Sequence, residues 1–177
     1  EAQCSESGLE DFTELNFLLK QMQEDDFLDK IEDIIDLENF YKWNITSVLA
    51  GSDHQSNSGN LRIYFDNETA KFGFIPWDVG ISNNIPLTFN NDLTDKILSV
   101  PKFYEQRNKA LLEYIKEEGN LKDDLDYYDS LYNKTKGTFY SDFRKHDNNI
   151  TFNKKVAQFR GQYEILFKQA QDLFSID

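Results

Sequence analysis

Asp53, Asn60 and Asp78 are the residues whose types and spacing could do chemistry. Two carboxylates and a carboxamide are hard oxygen donors, and together they suit a divalent cation such as Mg²⁺ and the phosphates it carries. All three lie in the stretch 51–84, whose polar loops flank a segment that reads as a tight β-hairpin. Leu61, Ile63 and Phe65 alternate onto one face, Asp66, Asn67 and Glu68 supply turn residues, and Phe72, Phe74 and Trp77 follow on the return. Pro76, which has no N–H to donate, ends the second strand. A hairpin returns the chain to where it left, so Asp53 and Asn60 before the first strand and Asp78 after the second are expected at one end of it.

The elements around this stretch must hold it in place. Leu9, Phe12, Leu15, Leu19 and Met22 recur at helical spacing and predict a core-packing helix beginning near Ser7. Asp25 or Asp26 is expected to cap a short helix carrying Phe27, Leu28, Ile31, Ile34 and Ile35. Asp36 is the expected N-cap of a helix with Leu37, Phe40, Tyr41, Ile45, Val48 and Leu49 turned inward, ended by Gly51. That helix aims at the loop holding Asp53. Trp77 is expected to pack in the core behind Asp78, and His54 to be a solvent-exposed neighbour rather than a base.

Beyond a polar, Asn-rich loop from Val79 to Asn91, Asp92 is the expected cap of a short helix with Leu93, Ile97 and Leu98. Pro101 suits the first turn of a helix closed by Gly119. Leu121, Leu125, Tyr128, Leu131 and Tyr132 continue in helical period until Lys134, Lys136 and Gly137 interrupt it. A last helix, capped by Thr151, carries a stripe from Phe152 through Val156, Phe159, Tyr163, Leu166 and Phe167 to Ala170 and Phe174.

The residues from Leu49 to Asp78 resemble the CotH kinases, an atypical branch of the protein-kinase fold first associated with bacterial spore coats. The pattern is a helix ending in a small-residue turn and an Asp, an Asn opening a strand of the form N-x-x-x-Y, a D-x-x-T-x-K-F turn, and I-P-W-D. This chain supplies Leu49, Ala50, Gly51, Asp53, Asn60, Tyr64, Asp66, Thr69, Lys71, Phe72, Ile75, Pro76, Trp77 and Asp78 in that order. The family places its Asn five residues after the catalytic Asp, whereas Asn60 follows Asp53 by seven, so either the loop bulges or Asn57 takes the role. Diffuser similarity extends through the C-terminal helices.

The resemblance implies a mainly α fold with one β-hairpin (α+β), equivalent to a protein-kinase C-terminal lobe and filling residues 1–177 as a single domain. It implies Asp53 as the catalytic residue that accepts or orients the acceptor hydroxyl. Asp78 and Asn60 become the ligands of Mg²⁺ and its ATP, and a coat or surface protein the substrate. It suggests a spore coat, cell surface or secreted location. No Gly-rich phosphate loop and no strand lysine precede Asp36, so the N-terminal lobe is absent from this chain and the isolated chain is expected to be inactive. The alternatives are a kinase-like surface or coat binding module without turnover, and nucleotidyl transfer on the same fold.

Composition bounds these readings. The 177 residues carry a formal charge of −13, which argues against nucleic acid or an anionic membrane as partner, because affinity for phosphates comes mainly from Lys and Arg. No apolar run approaches the roughly 20 residues of a membrane span. One cysteine leaves no internal disulfide and no cysteine metal site, and two well-separated histidines argue against zinc. The first residue is Glu1 rather than Met, so a mature form or an expressed piece is expected. The Asn-X-Ser/Thr acceptors at Asn44, Asn67, Asn133 and Asn149 read as a by-product of an Asn-rich composition.

Overall fold

Alternation and helical periodicity dictate the architecture. The computed structural model describes residues 12–56, 60–80, 82–86, 88–117 and 119–174. These form seven helices and one antiparallel hairpin: α1 (Thr13–Gln21), α2 (Ile31–Ile34), α3 (Leu37–Leu49), β1 (Ile63–Asp66), β2 (Lys71–Phe74), α4 (Asp92–Leu98), α5 (Pro101–Lys116), α6 (Asn120–Ser141) and α7 (Asn149–Phe174). The fold is mainly α with one β-hairpin, as the sequence predicts. Among the described residues no helix is long and apolar enough to cross a membrane.

The centre is α3. Phe40, Trp43 and Ser47 recur at three and four residues on its buried side, and Asn44, Ile45, Val48 and Leu49 are buried as well. Asp36 caps it by accepting the Asn39 N–H at 3.0 Å, and Gly51 ends it in the left-handed region at φ +65°. The hairpin packs on its flank. Ile63 pairs with Phe74 and Phe65 with Phe72, so the apolar alternation falls on one face of the ribbon. The Phe74 ring lies 4.9 Å from Trp43 and 5.2 Å from Phe40, and Phe89, from the loop after the hairpin, meets Trp43 edge-on at 5.8 Å. Two polar ties fix the seam: Asp36 N–H donates to Phe72 O at 2.9 Å, and Phe74 N–H to Asn39 Oδ1 at 2.5 Å.

Several boundaries differ from expectation. The helix start near Ser7 lies outside the described residues; in α1, Leu18 is buried and Leu19 exposed, the reverse of the expected stripe. The short helix after Asp26 splits into a 3₁₀ turn, Phe27–Asp29, and the single turn α2, with no side-chain cap. Ile35 is extended there and bridges to Phe72. Asn91, not Asp92, caps α4, accepting the Thr94 N–H at 3.1 Å. α5 ends at Lys116, and Gly119 instead opens α6. α6 runs unbroken through Lys134, Lys136 and Gly137. Asn148, not Thr151, caps α7 by accepting the Thr151 N–H at 2.9 Å, and Phe159 is exposed.

The C-terminal helices form a long antiparallel pair. Leu166, Phe167 and Ala170 of α7 and Leu125 of α6 are buried. Beneath them Asp124 accepts the hydroxyls of Tyr114, at 2.8 and 2.9 Å, and Tyr163, at 2.6 Å. Burial, reinforced by Asp124, pushes both phenols well above the usual tyrosine range.

Candidate functional site

The end of α3 delivers the first part of the site. Gly51 is required there, because a Cβ on it would stand 2.7 Å from the Asn84 carbonyl oxygen and 3.0 Å from Leu166 Cδ1. Its left-handed turn, closed by Ser52 N–H donating to Ser47 O at 2.9 Å, sends the chain across the end of the hairpin. Ser82 ties the far loop to this turn through its hydroxyl, which donates to Gly51 O.

Gln55 clamps the loop to its surroundings. Its side chain is buried and donates from Nε2 to Trp77 O at 3.2 Å, while the main-chain carbonyl of Gln55 accepts the Asn91 Nδ2 donor at 3.0 Å. Asn91 also caps α4, so one amide pair joins the loop after α3, the end of the hairpin and the start of the C-terminal helices.

Asp78 sits beyond β2 in the left-handed region at φ +50°, a conformation that costs a non-glycine residue roughly 1–2 kcal/mol and persists only where surroundings enforce it. Those surroundings are its hydrogen bonds. Asn60 Nδ2 donates to Asp78 Oδ2 at 2.8 Å, and His54 Nδ1 lies 3.1 Å from Asp78 O and 3.3 Å from Oδ2. Gly80 N–H donates back to Asp78 O at 2.9 Å. A Cβ on Gly80 would come within 3.1 Å of His54 Cε1, so the glycine leaves room for the imidazole over the turn.

Asn60 and Asp78 are therefore in contact. Asp53 is exposed and immediately precedes His54, the residue that reaches Asp78. Asn57, the alternative amide, lies outside the described residues. Sequence reasoning set His54 aside and missed Gln55 and Asn91. For His54 the signal was its position beside Asp53, whereas nothing in the spacing marks the two amides.

Trp77 corrects an expectation. It is not core packing: the side chain is 55% exposed, Ile75 and Pro76 beside it are exposed, and the Arg62 guanidinium lies 6.0 Å from its ring centre. The hydrophobic place behind the hairpin is already filled by Phe72, Phe74 and Trp43, so the indole is left on the surface beside Asp78.

The donor set fits a hard cation that brings ligands of its own. One carboxylate and one amide stand at the mouth, and Mg²⁺ takes one or two carboxylates and completes its shell with water and phosphate oxygens. Among the described residues no group of three or more His, Cys, Asp or Glu is arranged to hold a metal by itself. A family model described as CotH kinase protein matches residues 2–172, nearly the whole chain. Comparison with curated proteins and with solved structures finds no match.

Proposed function

The chain belongs to the CotH kinase family, and from that membership we propose that it is the C-terminal lobe of a protein kinase that moves the γ-phosphoryl group of ATP to a protein hydroxyl with Mg²⁺. The supporting observation is the contact of Asn60 with Asp78 beside the loop of Asp53 and His54. Asp78 and Asn60 hold the cation, and Asp53 orients the acceptor hydroxyl and takes its proton. Mg²⁺ supplies positive charge to a phosphoryl group whose transfer depends chiefly on positioning and electrostatics. His54 and Asn60 keep the Asp78 carboxylate in one orientation, and the exposed Trp77 indole offers a face on which a base can stack.

The acceptor is a coat or surface protein. Substituting Asp78→Ala in a protein that includes the N-terminal lobe should abolish substrate labelling from γ-labelled ATP while leaving the fold intact. Undiminished labelling would remove Asp78 from the mechanism.

One observation favours a second reading, a kinase-like binding module without turnover. Asp78 Oδ2 is already engaged by two side-chain nitrogens, which a bound cation would have to displace or avoid. Full-length protein that folds, binds its partner and never labels it would support this reading.

A further inference from the structure

We propose that the far end of the α6–α7 hairpin is a membrane-docking element, which seats Phe143 and Ile150 in the headgroup layer of an anionic lipid bilayer. The inference rests on the shape, the polarity and the charge of that end, and is independent of the catalytic reading.

The shape is a projecting arm. The buried side chains of the pair, Leu125 in α6 and Leu166, Phe167 and Ala170 in α7, all lie toward the base. Sixteen residues separate Leu125 from the end of α6 at Ser141, which at 1.5 Å per residue is about 24 Å of helix. The arm is held rigid by its own contacts. Phe139 stacks on Phe152 with ring centres 3.6 Å apart and planes at 15°. The hydroxyls of Tyr132 and Tyr140 both donate to Asn153 Oδ1, at 3.0 and 2.8 Å. Lys145 Nζ closes the last turn of α6 on the carbonyls of Phe139 and Tyr140, at 3.0 and 2.8 Å.

At the apex stand Phe143, 88% exposed, and Ile150, 69% exposed, the two most exposed large apolar side chains of the described residues. Phe143 lies in residues 142–148, the loop between the two helices, and Ile150 in the first turn of α7. A lipid interface takes up such an exposed apolar pair without needing a groove to receive it.

Charge separates this tip from the rest of the chain. Residues 133–155 hold six Lys and Arg against Asp142 and Asp147, a net +4, so the remainder carries −17. The overall −13, which by itself argues against an anionic surface, conceals that division. Physiological salt screens charge over about 8 Å, so the acidic base of the arm lies about three screening lengths from the tip. Arg144 is exposed in the apex loop, and Lys134 and Lys154 are exposed on the two helices within about 10 Å of it, where cations draw a protein to anionic lipid.

The test is co-sedimentation of the 177-residue chain with phosphatidylserine-containing vesicles and with pure phosphatidylcholine vesicles. We expect binding to the former only, reduced at least about tenfold by Phe143→Glu with Ile150→Glu, and likewise by Lys134→Glu, Arg144→Glu and Lys154→Glu together, with unchanged melting curves. A Phe143→Trp chain places a reporter at the apex, and brominated phospholipid should quench the emission that this substitution adds. No binding to phosphatidylserine vesicles, equal binding to neutral ones, an unquenched reporter, or equally tight binding of DNA or polyglutamate would each overturn the proposal.

Discussion

The side-chain amide of Asn60 donates to Oδ2 of Asp78 across 2.8 Å, joining the residue that leads into β1 to the one that follows β2. Partners that orient a metal-binding carboxylate typically contribute about 10–100-fold in affinity. Asn60→Ala is therefore expected to weaken Mn²⁺–ATP binding to a protein containing both lobes by that factor, measured by calorimetry. An unchanged affinity would separate Asn60 from the metal.

Gly80→Ala tests His54 without touching it. The new methyl would crowd His54 Cε1 at 3.1 Å, and the half-exposed imidazole can swing out to solvent. Stability should shift by less than about 0.5 kcal/mol, as for a surface substitution. Phosphoryl transfer should fall at least about tenfold in kcat, because Asp78 loses one of the two side chains that orient it. Steady-state kinetics with full activity would show that His54 does not position Asp78.

Gly51→Ala should be costly for a different reason. The backbone there is left-handed, and the added Cβ meets the Asn84 carbonyl, a main-chain atom that cannot rotate away. We expect a loss of more than about 2 kcal/mol in urea unfolding. A loss below half of that would mean that the loop through Asn84 yields easily.

The tyrosines on Asp124 predict an alkaline weakness. Tyr114 and Tyr163 have raised folded-state pKa values, through burial first and Asp124 second, so their contribution is complete below the ordinary tyrosine value of about 10 and declines as pH rises beyond it. Urea midpoints should hold up to about pH 9 and then fall, and Tyr114→Phe with Tyr163→Phe should flatten that fall. An equal slope in the double variant would assign the alkaline loss to other groups.

On the proposed reading of the chain as a C-terminal lobe, it should by itself bind ATP weakly or not at all even with Mg²⁺, since the cradle for phosphate and adenine in kinases lies largely in the N-terminal lobe. Calorimetry giving micromolar affinity would contradict this.

The parts of this molecule governed by local rules were legible in its residues. Asp36 and Gly51 bound α3 because a capping carboxylate and a left-handed glycine are chain-local devices, and the hairpin register follows from the alternation of Leu61, Ile63 and Phe65 against Phe72 and Phe74. Gly137 and its neighbouring lysines looked like a break, yet a glycine inside an exposed helix costs only about 1 kcal/mol, and the Tyr132, Tyr140 and Asn153 contacts offset it. Trp77 was misread because composition sends indoles inward, whereas Trp43 and Phe74 had already closed the space behind the hairpin. The direction of the His54 ring depends on a turn at Asp78 that its sequence neighbours do not announce.

The ties of α3 close a ring. Its first turn grips β2 through Asp36 and Asn39, β2 leads to Asp78, and Asp78 returns through His54 to the last turn of the same helix. A closed circuit has no slack end, so a push at one point is shared by every joint in it. β1, whose outer edge pairs with no other strand among the described residues, is bonded to that circuit only through β2 and the Asn60 amide, so its free edge lies open beside a frame that is already closed.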